Sequence, residues 1–118
     1  MSLPITPLRL AAVYEMLRAW PPFCRWSLPA SGELKFHVSK SRKNNAQWWI
    51  AGDRHHIEAS QRNHGHLVTL ILSMAHEMIH VRQRVARTET PGVEHNAEFV
   101  RIGKRIARRY GWDEGQFI

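Results

Sequence analysis

The chain has 118 residues, 43% hydrophobic and 23% charged, which is material for a single domain with one modest core and leaves no room for a second of any size. Lys and Arg number 17 against 10 Asp and Glu, a formal charge of +7, and Cys24 is the only cysteine, which excludes an intramolecular disulfide framework and zinc ribbons or knuckles built on cysteine pairs. No apolar run reaches the ~18 to 20 residues that span a bilayer, and the N-terminus has no basic-then-apolar signal pattern, so a soluble, cytoplasmic protein without a membrane partner is expected.

The first element is an amphipathic helix over about residues 6–20. Leu8, Ala12, Val13, Met16, Leu17 and Trp20 recur at threes and fours, Thr6 can cap it, Pro7 suits its first turn, and Pro21-Pro22 stops it. Strands are expected across about residues 33–60. Leu34, Phe36 and Val38 alternate with Lys35 and His37; Gln47 to Ala51 holds bulky β-formers; His56 to Ser60 is a short third strand after the Gly52-Asp53 turn. The polar, basic stretch from Ser39 to Asn45 reads as an exposed hairpin tip, so the sheet is expected to be a small, mostly antiparallel meander.

Residues 66–87 form a long helix, apolar over most of its circumference, with one polar seam of Thr69, Ser73, His76, His80, Gln83, Arg84 and Arg87. Such a helix is buried with its seam facing a cleft. A loop around Pro91-Gly92 leads to a last helix over about residues 95–110, with His95, Phe99, Ile102, Ile106 and Tyr110 on one face and Gly111 ending it. The expected fold class is α+β in one domain, residues 1–118.

The chemistry lies in the eight histidines. His76-Glu77-Met78-Ile79-His80 is an H-E-x-x-H pattern in mid-helix, so two imidazoles one turn apart can reach one ion, with Glu77 close by. Zinc in a catalytic site takes three protein ligands and a water, whose proton a neighbouring carboxylate can accept. The third ligand has to come from outside the motif: His95 leads, Glu98 is the rival, and Glu94 is weaker. Two histidines and a glutamate on a surface at accidental spacing would be the bland reading, but unpaired polar groups on a buried helix are costly.

His76-Glu77-x-x-His80 followed by His95-Asn96-Ala97-Glu98-Phe99 resembles the SprT-like (Spartan-type) zinc metalloproteases, in which a third histidine opens the next helix in an H-G-x-x-F-like segment. Trp49-Ile50 to Ile57-Glu58-Ala59-Ser60 is similar to the family's strands ahead of the active-site helix, and the resemblance covers roughly residues 34–110. It implies one Zn²⁺ held by His76, His80 and His95, Glu77 as the catalytic base, and a compact zincin-like core. Asn96 stands where the family has glycine, and no cysteine ribbon follows, so the resemblance is to a bare catalytic core. In such enzymes substrate adds as a strand at a sheet edge, and the strand around Ile57 to Ser60 is the expected edge. Tyr110, Tyr14 or an arginine could stabilise the oxyanion.

Arg101, Lys104, Arg105 and Arg108 form a basic ridge on the last helix, with Arg109 beside it and Arg82, Arg84 and Arg87 at the end of the helix before. This ridge is either a solvated face or a phosphate-binding surface. Lys40, Arg42 and Lys43 read as a soluble loop tip, and His55, His56, His64 and His66 as surface groups rather than a second metal site. The tryptophans read as core and rim packing, and Cys24 as an inert thiol. The expected function is a zinc-dependent metallopeptidase acting on protein or peptide substrates, with DNA-associated proteins a subsidiary reading. The alternatives are a nucleic-acid-binding module with a structural zinc, or a phage-type regulatory protease that cuts a single repressor.

Overall fold

Thr6 and Pro7 begin the first helix as the sequence leads one to expect: the Thr6 hydroxyl accepts the Arg9 N–H at 3.2 Å, and Pro7 occupies the first helical position. A computed structural model describes residues 5–62 and 66–118. In chain order it has α1 (Pro7–Arg18), single 3₁₀ turns at Phe23–Arg25 and Ser31–Glu33, β1 (Lys35–Ser39), β2 (Ala46–Ala51), β3 (Arg54–Ser60), α2 (Leu67–Ala86), α3 (Ala97–Tyr110) and α4 (Glu114–Phe117). The fold is α+β, and α4 is an element the sequence pattern did not announce. Among the described residues, no helix is long and apolar enough to cross a membrane.

The sheet departs from the expected meander. Its order is β1-β3-β2, with β2 antiparallel and β1 parallel to the central β3. Strands consecutive in sequence are usually neighbours in space, but here β3 carries the most deeply buried strand side chains, Ile57, Ala59 and Ser60, and takes the middle. Residues 40–45 therefore are not a hairpin tip. They cross the end of β3, held by the Ser60 hydroxyl on the Ser41 carbonyl at 2.5 Å and the Ser60 N–H on the Asn45 carbonyl at 2.8 Å. The true hairpin joins β2 to β3 through Gly52 and Asp53, both at φ +59°, the left-handed pair that a two-residue turn of this hand needs.

One face of the sheet packs with Leu10, Tyr14 and Leu17 of α1, with Met74, Met78 and Ile79 of α2, and with Phe99 and Ile106 of α3 in a single core. α2 runs through the middle of this core, which is why ten of its side chains are buried, Glu77, His80 and Gln83 among them. The seam read from the sequence is thus drawn into the interior at mid-helix and emerges at Arg84. Arg87 closes the helix in the left-handed region at φ +58°, with the Thr88 N–H on the Gln83 carbonyl at 2.9 Å.

Candidate metal centre and cleft

Two helical turns of α2 and the start of α3 meet at three histidines. One ring nitrogen from each of His76, His80 and His95 lies within 4.8 Å of the others, the only such cluster among the described residues. His76 and His80 come together because they are one turn apart on α2. His95 reaches them from the loop, with His76 Nε2 and His95 Nε2 3.1 Å apart. These three groups can hold a metal ion.

His95 does not start the last helix as its spacing suggested. Asn96 is the N-cap, its side chain accepting the Phe99 N–H at 2.9 Å, so His95 sits just outside the helix. Asn is among the best N-caps, which accounts for Asn96 at this position. The His95 ring lies on Phe99, centroids 4.4 Å apart and planes within 17°, and the buried Phe99 is a fixed shelf for it.

The tautomer of His76 follows from its neighbour. A carbonyl can only accept, so the Phe117 oxygen 2.9 Å from Nδ1 accepts a hydrogen bond from an Nδ1–H, and the neutral ring keeps the lone pair of Nε2 facing His95. Burial holds His76 below its ordinary pKa, partly offset by the Phe117 contact. Burial, then the two neighbouring imidazoles, push His80 down to about 3. Both rings are accordingly neutral near pH 7, the form that donates to a metal. Glu77 is 5% exposed, and burial, helped by the nearby Glu94, pushes its carboxyl up to about 8. A carboxyl with that proton affinity is suited to take a proton and return it.

A second set of contacts fixes the loop that carries His95. The Gln83 amide donates to Asn96 Oδ1 at 2.8 Å and to Glu98 Oε1 at 2.9 Å. Thr88 donates its hydroxyl to Glu98 at 2.5 Å, and Asn96 Nδ2 donates to the Thr88 carbonyl at 3.1 Å. Glu98, the rival third ligand, is thus engaged with Gln83 and Thr88 and stands outside the histidine cluster. Glu94 is outside the cluster as well and lines the adjacent cleft.

That cleft, about 620 Å³, is bounded by β2 residues including Trp48, by Glu77, His80, Gln83 and Arg84 of α2, and by the loop from Glu89 to Glu94. A smaller one of about 270 Å³ lies against Ser73, His76 and α4. Glu77, Asn44 and Ala46 border both, which puts Glu77 at their junction. The strand beside the cleft is β2, and its outer edge has no partner strand among the described residues; β3, the expected edge, is paired on both sides.

Tyr14 donates its hydroxyl to the Pro29 carbonyl at 2.6 Å, and Tyr110 donates to the Pro21 carbonyl, so both are occupied as structural ties. Of the three kinds of oxyanion group considered, only an arginine, Arg84, lines the cleft. Arg101, Lys104, Arg105 and Arg108 are exposed on α3. His55 accepts the Trp48 indole N–H at 3.0 Å, and His56 lies 2.9 Å from His37; neither belongs to a metal cluster, His66 is exposed, and His64 lies outside the described residues. Cys24 is exposed.

Three supporting features were missed in the sequence. Gln83 lay on the polar seam but nothing singled it out. Asn96 followed by an acidic first turn is a helix-start signal that would have moved the boundary by two residues. The Phe117 carbonyl is backbone, and no residue pattern marks it. A scan against protein-family models finds no match for the chain, and a search of curated proteins finds none either.

Proposed function

We propose that the protein is a zinc-dependent metallopeptidase of the SprT-like kind, with His76, His80 and His95 as the ligands and Glu77 as the general base. The observation that carries this reading is the convergence of three imidazoles beside a buried carboxyl on an open cleft. Three nitrogen donors suit a divalent ion of zinc's preference, and a structural zinc would call for a fourth protein ligand, which the cluster among the described residues does not offer. Zn²⁺ bound there supplies Lewis acidity towards water and a peptide carbonyl.

The chain's own residues do the rest. The Phe117 carbonyl keeps His76 in the tautomer that presents Nε2. Phe99 and Trp48 flank the rings, Trp48 lying within 11° of parallel to His80 at 5.4 Å. The free edge of β2 pairs with an extended peptide main chain to main chain, which lays the scissile bond along the cleft past Glu77. Glu77 then accepts a proton from the attacking water and delivers it to the leaving amine nitrogen. The exposed ridge of Arg101, Lys104, Arg105 and Arg108 supports a site of action near DNA, through phosphate contacts that salt would weaken.

Metal content and hydrolysis together test the proposal. Parent protein and Glu77→Gln should each hold one zinc per chain, His95→Ala should lose it, and only the parent should cleave casein. Full activity in Glu77→Gln, or one zinc per chain retained by His95→Ala, would sink the assignment.

A further inference from the structure

A chain with 17 Lys and Arg against 10 Asp and Glu should line an average cleft with positive charge. The larger cleft is the reverse. Its carboxylates are Glu77, Glu89 and Glu94, and its single cation is Arg84. Arg84 is held by Glu89 at 2.8 Å, while Glu94 has no ion-pair partner among the described residues. The Trp48 indole lines the same space, with its N–H already taken by His55, and so offers apolar surface rather than a donor. An exposed carboxylate beside an apolar wall matches a long side chain with an alkyl stem and a cationic head.

We infer, resting on the peptidase reading above, that this cleft selects substrates with a lysine or arginine next to the scissile bond, and that Glu94 is the residue that determines this preference. The basic head pairs with Glu94 while the stem lies along Trp48. Acidic segments are turned away by the Glu94 carboxylate, since like charges brought together in a partly desolvated cleft repel.

The test uses the full-length Glu77→Gln protein loaded with zinc, so that binding is read without turnover. Three decapeptides, identical except for a central lysine, norleucine or glutamate, are titrated calorimetrically. The lysine peptide should bind about fivefold tighter than the norleucine peptide, the upper end for a partly solvated ion pair, and the glutamate peptide most weakly. Adding Glu94→Gln should remove the difference between lysine and norleucine, and raising the salt should shrink it. Equal binding of lysine and norleucine, or a preference that survives Glu94→Gln, overturns the proposal. Zinc lost on Glu94→Gln would also overturn it, because Glu94 would then act at the metal. Cleavage is scored separately with the parent protein: a lysine preference without hydrolysis of any peptide leaves the acidic cleft standing and defeats the peptidase reading alone.

Discussion

Trp48 lies against His80 with ring centroids 5.4 Å apart and planes within 11° of parallel, while its indole N–H is donated to His55 at 3.0 Å. One residue of the β2 edge thus braces, from the cleft side, the His80 ring, one of the three imidazoles that could hold a metal ion. Trp48→Ala should destabilise the fold by about 3 kcal/mol, the low end for a large aromatic removed from a packed site, and weaken zinc about tenfold by freeing the His80 ring. Trp48→Phe should keep most of both. Thermal unfolding and competition with a chromophoric chelator measure the two effects.

Gln83 ties α2 to the start of α3 through Asn96 and Glu98. Gln83→Leu removes both contacts while each acceptor keeps one other donor, Phe99 N–H on Asn96 and the Thr88 hydroxyl on Glu98, an expected cost of about 1 kcal/mol. Zinc affinity should fall with it although Gln83 is no ligand, since Asn96 adjoins His95. Unchanged affinity in a folded Gln83→Leu would show that the loop holds His95 without this tie.

Glu98 gives a pH signature. The Thr88 hydroxyl, then the Gln83 amide, hold its carboxyl below the ordinary 4.5. A carboxyl whose folded pKa is depressed contributes stability above its unfolded pKa and loses it as pH falls through the lower folded value. The gap in Tm between parent and Glu98→Gln should therefore be widest near neutrality and close as the pH drops below about 4.5. A gap that is constant from pH 7 to pH 3 would contradict the assigned contacts.

Phe117 is 2% exposed, and its carbonyl orients His76. Phe117→Ala should cost about 3 to 5 kcal/mol as a core cavity. It should also scramble the His76 tautomer, which ¹⁵N shifts of the metal-free ring report directly. Loss of stability with the Nδ1–H tautomer intact would separate α4's packing role from its positioning role.

The local features of this protein were readable because each depends on short-range periodicity. The span of α2, the Thr6 cap, the Gly111 stop and the pairing of His76 with His80 all follow from residues within a turn or two of each other. Chemistry and spacing favour His95 over Glu98 as a ligand, and its closeness to the other two rings depends on α3 folding back onto α2.

The sheet order, the free β2 edge, the Gln83 tie and the carbonyl behind His76 were decided only in three dimensions. Each is a contact between segments far apart in the chain. A strand's alternation says which face is buried but not which strand lies beside it, and a backbone carbonyl has the same chemistry under every side chain. The residues alone therefore named the groups able to hold a metal, while tertiary packing chose which edge faces them, which group orients them and which charges share their cleft.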